Sequence, residues 1–211
     1  MKLIDLTHAL KDGTPSFPGD PVMKVAPHVA IAKGDKCNVS QIAFGSHQGT
    51  HLDALFHFIP DGRKIEQMPL EWFYGPATLL RIPKPARADI TVDDLKPFES
   101  SLVPGARIIY ETGWHRHYGQ DDYFTDFPSL TQEAAAYLAG RGIRLLGMDT
   151  PTPGRDYYEV HHLLQQSPAE IVIVESLAHL DALPDHFLFI GFPLHFEGGD
   201  GSPIRAVAVI E

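Results

Sequence analysis

The chain has 211 residues, 44% of them hydrophobic, and a formal net charge of −10 at pH 7. That length suits one domain, taken as residues 1–211, with enough chain to bury a sizeable core. The acidic balance, without any lysine or arginine run, argues against nucleic-acid partners, and no eighteen-residue apolar stretch offers a membrane span.

The opening "MKLIDLTHAL" puts acidic and polar residues where a signal peptide would be apolar, and it reads as a first strand with Leu3, Ile4 and Leu6 available for burial. The only cysteine, Cys37, has no intramolecular partner, and the two features together predict a cytoplasmic protein. "GTPSFPGDP" follows as a rigid, turn-forming loop. Residues 22–31 and 38–46 show partial two-residue alternation and are expected to form two strands, paired as a hairpin across "AKGDKC".

Beyond residue 76 short apolar runs recur: "ATLLRI", "ARIIYETG", "RLLGMD", "EIVIVES", "HFLFIGF" and "IRAVAVI". Their length and branched side chains suit strands buried on both faces. Helix candidates lie between them. "TVDDLKPF" has Thr91 as a cap and is limited by Pro97; "SLTQEAAAYLAGRG" has Ser129 or Thr131 as a cap and glycines to stop it; "YYEVHHLLQQSP" ends near Pro168. The order predicts an α/β fold, a mixed sheet with a β-rich N-terminal part.

The chemistry concentrates in "HQGTHLDALFHF", which carries His47, His51, Asp53 and His57. His47 and His51 are four apart, so a helical pair is one reading. Gly49, Thr50 and the strand-like approach favour a strand running into an irregular loop, in which His51 and Asp53 share a side and a turn at Gly49 brings His47 back. Imidazole with carboxylate, and no thiolate, suits a zinc, manganese or iron ion, and coordination would offset the burial of polar groups. A lone histidine is usually a packed or surface residue; this cluster is not one. His57, flanked by Phe56 and Phe58, is the candidate general acid or base, the alternatives being a further ligand or a donor behind the ligands. Glu175, at the end of an apolar strand, and His161 or His162, on the third helix, are weaker candidates; Asp149 either orients a ligand or caps a turn.

These residues resemble the cyclase-type metal-dependent hydrolase family, whose members include bacterial kynurenine formamidases and isatin hydrolases. The family hallmark HxGTHxDxPxH stands here as "HQGTHLDALFH", with Leu55 in the proline position. "IDLTHAL", "FPGDP", "ETGW", "HHLL…IVIVESL" and "GDGSPIRAVAV" extend the likeness over nearly the whole chain. The resemblance implies a swivelling β/β/α domain and a homodimer or homotetramer. It also implies a site of one or two divalent ions, Zn2+ or Mn2+, held by His47, His51, Asp53, His161 and Glu175, with His57 catalytic. The spacing from His161 to Glu175 is about two residues longer than the family's.

The expected activity is arylformamidase-like hydrolysis of a small amide, converting N-formylkynurenine to kynurenine and formate. Family formamidases place tryptophan against the substrate where Phe17 stands, so an aromatic face is retained and the indole N–H is not. Phe56, Phe58 and Trp114 read as core before pocket wall. A cyclic-amide or lactone hydrolase, or a cyclase or dehydratase, would share the same metal chemistry. A structural or sensory metal-binding protein is the non-enzymatic alternative, and it has no need of His57. There is no G-x-S-x-G elbow to suggest a serine hydrolase.

Overall fold

A computed structural model describes residues 1–210. Every apolar run named above forms a strand, because branched and aromatic side chains pack well on a pleated surface covered on both faces. In chain order the strands are β1 Lys2–Asp5, β2 Lys24–Val29, β3 Val39–Ala43, β4 His51–Asp53, β5 Tyr74–Arg81, β6 Asp89–Ile90, β7 Arg107–Glu111, β8 Ser129–Leu130, β9 Leu145–Met148, β10 Val172–Glu175, β11 His186–Ile190, β12 Gly201–Pro203 and β13 Val207–Ile210. The helices are α1 Val92–Leu95, α2 Gln132–Gly140 and α3 Tyr157–Gln165.

Nine strands form one mixed sheet in the order β1-β13-β11-β5-β7-β9-β10-β4-β12. Its centre, β5 to β10, is parallel, and the flanking pairs are antiparallel. The sheet curls on itself. Thr7, just past β1, bridges to Leu177, just past β10, and Ala178 N donates to Leu6 O at 2.9 Å. Those strands lie far apart in the sheet order, so only curvature can join them.

Alternation along the central strands separates two cores. Ile109, Leu145, Val172 and Val174 face the curled interior with Leu52 and Phe189. Ile108, Leu146 and Ile173 face the helices, against Leu138 of α2 and Leu164 of α3. All are fully buried, each contributing on the order of 1.5–3 kcal/mol.

The helix boundaries follow local chemistry. Thr131 Oγ1 accepts from Ala134 N at 3.1 Å to cap α2. Asp94 accepts from Thr91 N at 2.8 Å to close the start of α1, and Pro97 carries the chain on into 3-10 turns over Lys96–Ser101. The β2–β3 hairpin forms as expected but stands outside the main sheet, with Val39 and Ile42 about half exposed. Among the described residues no helix is long and apolar enough to cross a membrane.

One short strand organises the site. β4 lies between β10 and β12, and its register sets His51 opposite Glu175 and Asp53 opposite Ile173.

Candidate metal centre and its pocket

Pairing places His51, Asp53 and Glu175 together. Residues two apart on a strand share a face, and directly opposed residues on neighbouring strands share one too. Leu52 points the other way, into the curled core. The shared face is the one α3 covers, and α3 supplies His161.

The loop before β4 supplies His47. Gly49 turns it with φ +62, and a Cβ there would lie 2.5 Å from Leu10 Cδ2, so both backbone and space call for glycine. Gly201 of β12 clears room for the imidazole: a Cβ would lie 2.6 Å from His47 Cε1.

His47 Nδ1 lies 2.8 Å from Asp53 Oδ1, and His51 Nε2 lies 3.4 Å from the same oxygen and 3.3 Å from Glu175 Oε2. His161 Nε2 lies 3.4 Å from Asp53 Oδ2 and 3.2 Å from Glu175 Oε1. His51 and His161 donate through Nδ1 to the carbonyls of Gly49 and Tyr157, at 2.8 and 2.6 Å. Those bonds fix the rings and turn both Nε2 atoms towards the carboxylates.

Neutral Nε2 lone pairs facing carboxylate lone pairs at these distances repel. A positive charge must sit among them, either protons or a metal ion. Burial opposes charge on His51, yet the carboxylates of Asp53 and Glu175 outweigh it and raise the imidazole to about 10. Against the same cost of burial, Asp53 and Asp200 raise His47 to about 9, and Asp53 and Glu175 raise His161 to about 9. Burial also disfavours the Asp53 carboxylate, but His47 and the other imidazoles hold it well below the usual range.

His51 Nε2 and Asp53 Oδ2 have no hydrogen-bond partner among the described residues although both are buried. Such atoms, in a nitrogen-and-oxygen donor set, fit a divalent ion. His47, His51 and Asp53 form one group able to hold it; Asp53, His161 and Glu175 form a second that shares Asp53.

His57 stands at the rim. Its ring stacks on His47 at 3.8 Å and 28°, and its Nδ1 is 4.0 Å from Asp200 Oδ2. Burial lowers it to about 4, so it is neutral at neutral pH. His47, His57 and Asp200 make a third ligand-like group, which keeps a coordinating role open for His57.

These groups border a cavity of about 250 Å³. That is below the roughly 300–1,000 Å³ of drug-sized sites, so the ligand is small. Phe17, Phe58, Phe124 and Tyr157 wall it. Phe17 meets Phe124 and Tyr157 edge-on at 6.1 and 5.9 Å. Phe58 is therefore wall and not core. Trp114 is core, buried with Tyr123 and Phe127, and Phe56 packs under Lys64 instead.

His162 does not reach the cluster; it stacks on Tyr158 at 5.4 Å. Asp149 ties a turn, accepting from Thr112 N, Thr112 Oγ1 and Gly113 N. No motif in the sequence marks Asp200, although its Oδ2 lies 3.2 Å from His47 Nε2. Its setting, an acid between glycines in "GGDGS", is the one local signal it carries.

The family model for putative cyclases matches residues 4–155. A kynurenine formamidase from Bacillus cytotoxicus is 30% identical over 210 residues, spanning 97% of this chain and 95% of its own. Among solved structures, isatin hydrolase A from Labrenzia aggregata, bound to benzyl benzoate, superposes with TM-score 0.86 at 27% identity, covering 98% of this chain and 93% of that one. A structure titled potential metal-dependent hydrolase with cyclase activity gives TM-score 0.82 at 25% identity, over 98% and 96%. The chain is a metal-dependent hydrolase and belongs to the putative cyclase family.

Proposed function

We propose that the protein hydrolyses a small aryl formamide, with residues 1–211 acting as one unit. The observation that carries this reading is the convergence of three imidazoles on Asp53 and Glu175 beside a neutral histidine and an aromatic wall. His47, His51, Asp53, His161 and Glu175 would hold one or two divalent ions, Zn2+ or Mn2+, with Asp53 shared. Such an ion supplies a Lewis acid that makes water nucleophilic near neutral pH and polarises a carbonyl.

His57 handles the proton. Its Nδ1 faces Asp200, which leaves Nε2 to take a proton from the attacking water and return it to the leaving nitrogen. Phe17 and Phe58 hold the aryl ring, and the small cavity excludes polymers. The kynurenine formamidase relative supports the formamide bond as target.

The test is hydrolysis of N-formyl-L-kynurenine by protein loaded with zinc or manganese. His57→Ala should lower kcat about 10²–10⁴-fold at unchanged metal content. Equal loss of metal and activity would make His57 a ligand. No turnover by fully loaded wild type would reject the formamide and move the assay to cyclic amides such as isatin, the substrate class named for the isatin hydrolase neighbour.

A further inference from the structure

One loop supplies much of the cavity border: Pro15, Ser16, Phe17, Pro18 and Asp20 all line it. Little holds that loop in place. Pro15 and Pro18 have no N–H to donate, and the N–H groups of Thr14 and Asp20 bond locally, to Lys11 O and Phe17 O at 3.0 Å each. Phe17 touches Phe124 and Tyr157 edge-on, and apolar contacts of that kind are not directional. Among the described residues, the hydrogen bonds that reach residues 14–20 from beyond residues 11–21 all come from one side chain, Gln48.

Gln48 is fully buried. Its Nε2 donates to Pro15 O at 2.8 Å and, more weakly, to Thr14 O at 3.5 Å. Its Oε1 lies 2.9 Å from Ser16 Oγ, whose single proton it shares with Pro21 O at 2.8 Å. Two carbonyls can be met only by the NH2 end, which fixes the way the amide faces. Burying an amide is costly unless it is paired, and every partner of this one lies in the Phe17 loop.

The other end of the link is the ligand loop itself. Gln48 follows His47 and precedes Gly49, whose carbonyl accepts from His51 Nδ1 at 2.8 Å. The side chain therefore joins the loop that carries two imidazoles of the metal centre to the loop that carries the aryl wall. We infer that Gln48 is a positioning residue: it fixes the Phe17 ring relative to the metal centre and so sets how tightly an aryl group binds. This deepens the aryl-amide reading and rests on it.

The test separates aryl binding from metal binding and needs no turnover. Benzohydroxamate and acetohydroxamate chelate a divalent ion through the same group, and only the first offers Phe17 a ring. Calorimetry on zinc-loaded protein gives their affinity ratio for wild type, Gln48→Met, Phe17→Ala and the double variant. Methionine keeps the length and removes both donor and acceptor. The phenyl preference should fall about tenfold in either single variant and no further in the double, because the two residues act through one contact. Acetohydroxamate affinity and zinc content should stay constant. Hydrogen exchange at the amides of residues 13–20 should quicken about tenfold in Gln48→Met while β4 stays protected. Additive losses, unchanged exchange, or a wild type without phenyl preference overturns the assignment. So does a Gln48→Met protein that melts lower yet keeps the preference, since the amide would then be structural only. Should Gln48→Met not fold, Ser16→Ala, at a half-buried position, carries the test: a reduced preference supports the assignment and an unchanged one overturns it. If no formamide is hydrolysed but the preference is seen and lost as expected, the aryl-formamide reading fails and the positioning role stands.

Discussion

Loading divalent metal into chelator-stripped protein at pH 7.5 should release about three protons per chain once the centre is filled. The count comes from His47, His51 and His161, raised to about 9, 10 and 9 by the carboxylates they face. At pH 7.5 each is then about 97% protonated or more, whereas an ordinary histidine is about 10% protonated. Coordination needs the neutral lone pair, so each ligating imidazole surrenders its proton. The sign extends to stability. In the stripped protein these raised values contribute stability that is complete below about pH 6.5 and lost as pH rises through 9 to 10. Metal affinity moves oppositely, rising over the same window by up to about three log units per pH unit, so the Tm gap between loaded and stripped protein should widen. Calorimetric titration in two buffers of different ionisation enthalpy counts the protons directly. Release of fewer than about one proton at pH 7.5 would mean the imidazoles are already neutral, and the charge argument for the site would fall.

Three further outcomes are expected. Gly201→Ala places a Cβ 2.6 Å from His47 Cε1 and 3.0 Å from Leu52 O, so the imidazole must move; metal affinity should fall about 10–100-fold in a chelator competition, with the circular dichroism spectrum retained. Burial, helped by His115 and His179, lowers His8 to about 4, so below pH 6.5 the unfolded chain takes up a proton that the folded one refuses. Stability should decline from pH 6.5 towards pH 4 by up to an order of 3 kcal/mol, and His8→Phe, which keeps a ring on Tyr118, should flatten that decline in urea titrations. Phe17→Ala should raise KM for an aryl substrate several-fold and leave kcat within about twofold, because the ring touches the cavity and not the ligands; an equal fall in kcat would place Phe17 in the chemistry.

Much of this protein follows from short-range pattern. The apolar runs become strands because alternating or branched side chains have one good way to be buried, and Thr131 and Gly142 bound α2 through bonds within a few residues. His51 and Asp53 share a face because a strand has a period of two, and Gly49 turns the loop because glycine tolerates positive φ. None of that says what lies opposite. The pairing of His51 with Glu175 is a choice of register between strands more than a hundred residues apart, made where the two cores bury most surface. The phase of α3 is another such choice: its sequence offers His161 and His162 a hundred degrees apart, and only packing against the sheet turns the first to Glu175 and the second to Tyr158. Asp200 beside His47 and the exclusion of the β2–β3 hairpin from the main sheet exist only once the sheet has curled. Side-chain chemistry and local period are written in the chain, but proximity across the sheet is a property of the whole fold, since it arises from burial summed over many residues at once.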